Sequence, residues 1–369
     1  MKYRGGFFEK LCHMERQHRI IWAAFSIIKL IIYTNLYILD KVENKRQAFG
    51  CTEGRGRFFM WKSILKAIGF FAVFLLLFLC INSILELKHE DGIAQMEMFY
   101  KQKENTIDVI CLGSSHVFAN IDPAILEEDY GIAAYDLAGS MQPMWNTYYC
   151  LKEALKYQKP SLIILDVFRL TEGFTYSKES KVVKNTYGMR ISMNKIKSIQ
   201  ESVEKKEDVL RHVFGIATYH DRYYELEEKD FQGGIRKDES YKGYYPLTEI
   251  QPQKQPRVSH IEETLPIEEK TKQYFYRILE LAQKQDIPVL LINAPYCMTE
   301  DDKKVFNELE SLLQEGVPGK VAYLDFNRHY SEMGLDFSVD FADSEHLNQE
   351  GAKKMNKYLG EYLVNHYGF

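Results

Sequence analysis

Over the latter two-thirds of this chain, short unbroken runs of apolar residues alternate with longer stretches in which apolar positions recur every three or four residues. The runs are IDVICL at 107–112, AAYDL at 133–137, LIILDV at 162–167, VLLIN at 289–293 and VAYLD at 321–325. Continuous rather than alternating hydrophobicity over five or six residues predicts parallel strands covered on both faces. The helical period holds over 145–157, 268–284, 301–314 and 349–365, the last placing Ala352, Met355, Leu359, Tyr362 and Leu363 on one face. Asp122-Pro123 reads as a helix start and Tyr130-Gly131 as its stop, because an aspartate accepts from the first free N–H groups and a proline fits the first turn. Alternation of this kind predicts an α/β fold, a three-layer α/β/α sandwich on a parallel sheet, with ligands at the carboxyl ends of the strands.

Two stretches break the pattern. Residues 64–85, ILKAIGFFAVFLLLFLCINSIL, contain one charge, Lys66, near their start, and about 20 such residues cross the hydrocarbon core of a bilayer. Lys45, Arg46, Arg55, Arg57, Lys62 and Lys66 lie before or at the start of this run, whereas Glu86, Glu90 and Asp91 follow it alongside Lys88. The positive-inside bias then predicts a single-pass transmembrane helix in the cell membrane, N-terminus cytoplasmic and C-terminal domain extracytoplasmic. No small-residue cleavage site follows the run, which favours an uncleaved anchor over a signal peptide. Residues 1–63 are expected as a cytoplasmic segment. Within them 20–39, interrupted by Lys29, Thr34 and Asn35, reads as a poor second span or an interfacial helix, and Met60 is an alternative start. Residues 86–105 read as a charged helical stalk or linker and 106–369 as the folded domain.

The second break, at about 174–266, is an insertion rich in tyrosine and charge (DRYYELEEKDF, SYKGYYPL) with Pro246, Pro252 and Pro256 downstream. It is expected as helices and loops forming a cap or substrate-facing lobe. Its tyrosines suit the flat apolar faces of sugar rings, or simply pack the insertion onto the domain; both readings are open. His220-Asp221-Arg222 is a polar cluster within it.

Composition narrows the classes. At 369 residues, 46% apolar and 27% charged, the chain is globular in character. A net charge of −5 with dispersed lysines gives no basic stripe, so no nucleic acid is expected as a partner. Cys111, Cys150 and Cys297 lie beyond the apolar run and form neither a disulfide framework nor a zinc spacing. The chain has no His-Glu-x-x-His, calcium loop, Gly-x-Gly-x-x-Gly or Walker loop, so no metal and no cofactor are expected.

The candidate chemistry lies in IDVICLGSSHVF, where the first strand meets Gly113, Ser114 and Ser115, and in Asp343-Ser-Glu-His346 ahead of the last helix. A serine hydroxyl is a weak nucleophile at neutral pH and needs an imidazole to take its proton and a carboxylate to fix that imidazole. Asp343 and His346, three positions apart, supply both for Ser115, and Gly113 lets the backbone turn closely beneath it. Asp340 is a rival carboxylate. His116 points the other way if the strand persists and reads as a supporting group.

These motifs resemble those of the SGNH (GDSL-like) hydrolases and acyltransferases. That family places its nucleophile third in a Gly-Asp-Ser-like motif after the first strand and its base in an Asp-x-x-His before the last helix. The resemblance implies Ser115 as nucleophile, with Ser114 in the aspartate's place, His346 as base and Asp343 as its orienting acid. It also implies Gly139, in LAGSMQ, as an oxyanion N–H donor. The family's Gly-x-Asn-Asp motif is missing; SLIILDVFRL offers Asp166 and Arg169 instead. Asn293, at the end of LLIN, either donates into the site or caps the NAPYC turn. The layout of one anchor, a GSS motif and a terminal Asp-x-x-His looks like the DltD proteins of teichoic acid D-alanylation and the O-acetyltransferases of polysaccharide export.

The implied function is an extracytoplasmic, serine-dependent acyl transfer or ester hydrolysis. It would move acetyl or D-alanyl groups on a cell-envelope glycan or teichoic acid, with a membrane-bound acyltransferase as a further partner. The alternative is a non-catalytic envelope protein that binds polysaccharide or such a partner, and the missing Gly-x-Asn-Asp favours it. Reach between the Ser115 hydroxyl and the His346 ring discriminates the two.

Overall fold

The computed structural model describes residues 55–85, 87, 91–231 and 241–369. The expectations for residues 1–54, including a second span at 20–39, lie outside the described residues. A helix runs over Arg55–Leu85, and its stretch Ser63–Leu85 is long and apolar enough to cross a membrane. At 1.5 Å per residue that stretch is about 35 Å long, against a hydrocarbon core of about 30 Å. Leu65, Ile68, Phe70, Phe71, Phe74, Leu75 and Leu76 are all exposed along it.

From Ile84 onward the chain forms a second unit built on five parallel strands, β1 (Val109–Gly113), β2 (Ala134–Ala138), β3 (Leu162–Asp166), β4 (Val289–Asn293) and β5 (Val321–Asp325). Their order across the sheet is β2-β1-β3-β4-β5, and the four pairings are parallel. All five apolar runs of the sequence are therefore strands. The fold is the expected α/β sandwich with helices on both faces of a parallel sheet.

The continuous hydrophobicity has a direct cause: successive side chains of a strand enter opposite faces, and both faces are covered. Ile110, Leu112, Ile163, Leu165, Val289 and Leu291 pack with Trp145, Phe275, Leu279 and Phe306 in one core. Val109, Cys111, Leu162, Ile164, Leu290 and Ile292 pack with Leu126, Met355, Leu359 and Leu363 in the other. The helices behind these cores start where the sequence signals them. Asp122 accepts from the Ala124 N–H ahead of Pro123–Tyr130, and Gly131 ends that helix in the left-handed region at φ 70°. Glu268 caps Glu269–Lys284 through the Thr271 N–H, and Asn348 caps Gln349–Tyr367 through the Glu350 and Gly351 N–H groups.

Residues 93–99, expected within a helical stalk or linker, form a helix packed on the domain. Ile93, Met96 and Phe99 are buried, the Phe99 and Tyr135 rings meet edge to face at 5.4 Å, and the Tyr135 hydroxyl donates to the Gln95 carbonyl at 2.8 Å. Three apolar residues at i, i+3 and i+6 suffice for one buried stripe, although the neighbouring charges mask it in the sequence.

The insertion divides into two parts. Helices Glu179–Thr186, Met193–Ser202 and Asp208–Val213 share a small core of Val182, Ile199, Val203, Val209 and Val213. They dock on the helix Met144–Ala154, where the Trp145 Nε1–H donates to Ser202 Oγ at 3.1 Å and Asn146 Nδ2 donates to Ser198 Oγ at 2.7 Å. Arg222 donates to the Leu85 carbonyl and to Asp230, so this member of the 220–222 cluster has a structural engagement. After the undescribed residues 232–240 the chain runs along the carboxyl end of the sheet. There the N–H of Tyr245 donates to the Phe118 carbonyl at 2.6 Å, and those of Gln251 and Gln253 donate to the carbonyls of Phe341 and Phe337. Tyr223, Tyr224, Tyr241 and Tyr245 are exposed, whereas Tyr244 is buried.

Candidate active site

The chain leaves β1 toward β2 on one side and later returns to β3 on the other, so the space between the carboxyl ends of β1 and β3 is a topological switch point, where open α/β sheets bind ligands. Ser115 follows β1 there, and Asp166 to Arg169 follow β3. The turn after β1 is tight. A Cβ on Gly113, at φ +158°, would lie 2.6 Å from Val117 Cγ2 and 2.9 Å from Asp166 Cβ, distances no side chain tolerates, so glycine lets the two lips of the crevice touch. The strand ends at Gly113, and Ser115 opens a single helical turn, Ser115–Phe118, with Ser114 at its N-cap.

The loop bearing Asp343 and His346 comes from the opposite end of the sequence. His346 Nε2 lies 2.7 Å from Ser115 Oγ, and His346 Nδ1 lies 2.9 and 3.0 Å from the two Asp343 carboxylate oxygens. Asp343 Oδ1 also accepts from the N–H groups of Glu345 and His346, at 2.7 and 2.9 Å. Partial burial pushes the Asp343 carboxyl up, but the neighbouring His346 ring and these hydrogen bonds outweigh it and hold the group below its ordinary value. It is therefore an anion at neutral pH. The rival Asp340 is engaged elsewhere: its Oδ2 accepts from Lys354 Nζ and from the Asp336 N–H, each at 2.6 Å.

Two buried asparagines brace this geometry. Asn120 Oδ1 accepts from the Leu347 N–H at 3.1 Å, next to His346. Asn356, from the last helix, donates to the Asn120 carbonyl at 2.7 Å and accepts from the Asp122 N–H at 2.9 Å. Both asparagines are fully buried, and together they tie the His346 loop to the segment after Ser115. Sequence reasoning missed them. The available signal was Asn356, a polar residue adjoining the apolar face formed by Ala352, Met355 and Leu359.

The two oxyanion candidates fare differently. Gly139 follows β2, beside the carboxyl end of β1, and is closely packed: a Cβ there would meet Asn185 Oδ1 at 2.2 Å and Gly92 Cα at 3.1 Å. Its glycine character thus has a packing cause. Asn293 is turned to β5, where its Nδ2 donates to Asp325 Oδ1 at 3.2 Å. Since β3 separates β4 from β1, this amide is committed away from Ser115, and Asn293 does not have the orientation of an oxyanion donor. The NAPYC turn is held by another residue, Asn327, which donates to the Asn293 and Ala294 carbonyls and accepts from the Tyr296 N–H.

The segment after β3 and the residue beside Ser115 form the other wall. His116 is fully buried, because the strand ends before it and the helical turn swings its ring inward. That ring stacks on Phe168 at 3.7 Å, meets Tyr296 edge to face at 5.3 Å, and lies 5.5 Å from the His346 ring. Neither His116 nitrogen has a hydrogen-bond partner among the described residues. Burial, with the charges of His346 and Arg169 adding to it, pulls the His116 pKa well below the ordinary histidine value, so the ring is neutral. Arg169, 4% exposed, spends Nη1 on Glu172 at 2.6 Å, lies over the Phe168 and Phe174 rings, and has no hydrogen-bond partner for Nε or Nη2 among the described residues. Burial pushes Asp166 up to about 7, against the Phe168 and Ala294 N–H groups that its carboxylate accepts from.

Donor atoms of His116, Glu345 and His346 lie within 4.8 Å of one another, a group that meets the loose requirement for a metal. Both His346 nitrogens are already engaged, by Ser115 and Asp343. The arrangement as it stands therefore suits proton transfer better than metal ligation, which needs a free imidazole lone pair.

No family model matches the chain, and no curated protein matches it. Among solved structures it is similar to a protein from Desulfitobacterium hafniense DCB-2 provisionally described as a lipolytic protein of the G-D-S-L family. The two are 16% identical over 69% of this chain and 97% of that one, with a TM-score of 0.34.

Proposed function

We propose that this chain is a membrane-anchored, extracytoplasmic serine enzyme that transfers or hydrolyses an acyl ester, with Ser115 as nucleophile, His346 as general base and Asp343 as its orienting anion. One observation carries the reading: the continuous hydrogen-bond chain Ser115 Oγ, His346 Nε2, His346 Nδ1, Asp343. An imidazole 2.7 Å from a hydroxyl is already within reach of the proton it must take. The ionised Asp343 favours the proton on Nδ1, leaves the Nε2 lone pair toward the serine, and stabilises the imidazolium that forms.

In the first half-reaction Ser115 Oγ attacks the acyl carbonyl carbon while its proton passes to His346 Nε2. The tetrahedral intermediate collapses, the leaving oxygen or sulfur takes that proton, and an acyl-serine remains. A hydroxyl of an acceptor, or water, then reverses the sequence with His346 again as base. The apolar stretch Ser63–Leu85 and the charge asymmetry around it support a location beside the cell envelope. Polymeric acceptors such as an envelope glycan or teichoic acid suit such a site, and acetyl or D-alanyl are the groups proposed. The same 2.7 Å contact favours catalysis over the alternative of a non-catalytic polysaccharide-binding or partner-binding protein.

The test is covalent trapping. A serine-reactive fluorophosphonate should label the native protein once, at Ser115, and Ser115→Ala should lose the label together with any esterase activity, a fall of about 10⁶-fold. Labelling that persists unchanged in Ser115→Ala sinks the assignment. Acetate and D-alanine released from envelope polymers, measured with and without the protein, identify the group and the acceptor.

A further inference from the structure

We propose that the neutral ring of His116 donates the N–H hydrogen bond that stabilises the oxyanion formed when Ser115 attacks. This rests on the reading of Ser115 as a nucleophile and adds to it the group that receives the developing charge.

The inference begins from a deficit. Acyl transfer places a negative charge on the carbonyl oxygen, and the donors aimed at that oxygen account for much of the rate. The side-chain amide expected to help, Asn293, is committed to Asp325. Beside the nucleophile, however, the structure leaves a fully buried imidazole with neither nitrogen hydrogen-bonded. Buried polar atoms are ordinarily satisfied, so an orphaned pair calls for a reason. A neutral imidazole always has one N–H to donate, whichever tautomer is present.

Position and environment agree. His116 adjoins Ser115 in the chain, and one of its ring nitrogens lies within 4.8 Å of a His346 nitrogen. A carbonyl carbon under attack must sit close to Ser115 Oγ, itself 2.7 Å from His346 Nε2. In the proposed arrangement the carbonyl oxygen sits within one hydrogen bond, about 3 Å, of this donor. The ring is fixed by its stack on Phe168 at 3.7 Å and by Tyr296 at 5.3 Å, so its orientation is set before charge develops, and with both nitrogens buried the entering acyl group must part the cover over the ring to reach it. Apolar surroundings strengthen the bond, and the nearby Arg169 and His346 charges oppose a second proton on the ring. During attack the carbonyl π pair moves onto oxygen, the Ser115 proton goes to His346, and the His116 N–H is shared with the oxyanion. On collapse the pair re-forms the carbonyl, the leaving group takes the proton from His346, and His116 is unchanged.

The experiment compares second-order rates of fluorophosphonate labelling at Ser115 for the native protein, His116→Phe and His116→Gln, with melting temperature measured on each. His116→Phe keeps an aromatic ring against Phe168 but has no donor, and should label 10²- to 10³-fold more slowly. His116→Gln restores an N–H and should recover at least tenfold of that loss. Labelling of His116→Phe within threefold of native overturns the inference while leaving the Ser115 reading intact, as does an equal loss in both variants at unchanged melting temperature. Failure of the native protein to label overturns the Ser115 reading and this inference with it. A crystal structure of the phosphonylated native protein needs no variant: the phosphoryl oxygen should lie about 3 Å from a His116 nitrogen, and an oxygen bonded elsewhere with His116 still unpartnered overturns the assignment.

Discussion

Two walls meet at the carboxyl ends of β1 and β3, and they treat their polar groups in opposite ways. On the wall formed by Ser115 and the 343–347 loop, hydroxyl, imidazole and carboxylate bond one another, and the loop beneath them is clamped through Asn120 and Asn356. On the wall formed by His116, Phe168 and Arg169, two imidazole nitrogens and two guanidinium nitrogens are buried with no hydrogen-bond partner among the described residues. From Ser115 through His346 to Asp343 each group is bonded to the next, as the proposed proton relay requires. The second leaves donors unspent, the condition expected of groups whose partner is the reacting molecule. A shared low-dielectric setting strengthens satisfied bonds and penalises unsatisfied ones, so perturbing the two walls should have different consequences.

The largest effect should come from breaking the satisfied wall at its electrostatic end. Asp343→Asn preserves shape but removes the charge that sets the His346 tautomer, and should lower kcat by about 10⁴-fold with KM little moved. Steady-state kinetics on an acyl ester check this; a loss below tenfold would mean that the serine and imidazole act without the acid. A smaller effect should follow from loosening the clamp. Asn120→Ala strips the acceptor from the buried Leu347 N–H and should cost about 1–3 kcal/mol of stability, read by urea denaturation. Because His346 is the next residue, labelling of Ser115 should slow as well, whereas a clamp with no part in positioning would lower stability alone.

The contrast between the walls also explains what the sequence disclosed. The five strands were legible because burial on both faces leaves an unbroken apolar run, and Asp343 and His346 because their relation is local, three positions within one loop. Groups whose role depends on a distant neighbour were not legible. Asn293 looks available at the end of β4 until β5 brings Asp325 beside it. His116 was expected to point away because the strand was extended in thought past Gly113, whereas the helical turn begins at Ser115 and reverses the side chain. Asn120 and Asn356 lie more than 200 residues apart in sequence, and neither looks unusual until the last helix packs against the segment after Ser115. The packing of the 93–99 helix was hidden for a related reason, since its short apolar stripe has meaning only against Tyr135 of β2.

The smallest effect is one of pH, and it separates two buried groups on the unsatisfied wall. His116 is held well below its ordinary pKa by burial first and by the His346 and Arg169 charges second. The unfolded chain therefore binds a proton below about pH 6.5 that the folded protein refuses, and stability falls as the medium is acidified through that range. Asp166 acts in the opposite sense. With its pKa pushed up to about 7 by burial, the folded protein holds a proton between about pH 4 and 7 that the unfolded chain releases, so acidification through this window stabilises. Each group alone contributes a slope of at most about 1.4 kcal/mol per pH unit, and between pH 6.5 and 5 the two oppose each other. His116→Phe should therefore lose less stability than native on acidification, and Asp166→Asn should lose more. His212, also lowered by burial, is present in all three proteins and cancels in the comparison. Urea denaturation at pH 5.0, 5.75 and 6.5 measures both slopes. Parallel profiles for native and His116→Phe would mean that the ring takes up its proton in the fold as readily as in the unfolded chain, and a proton taken up there would set two cations, His116 and Arg169, side by side in the same wall.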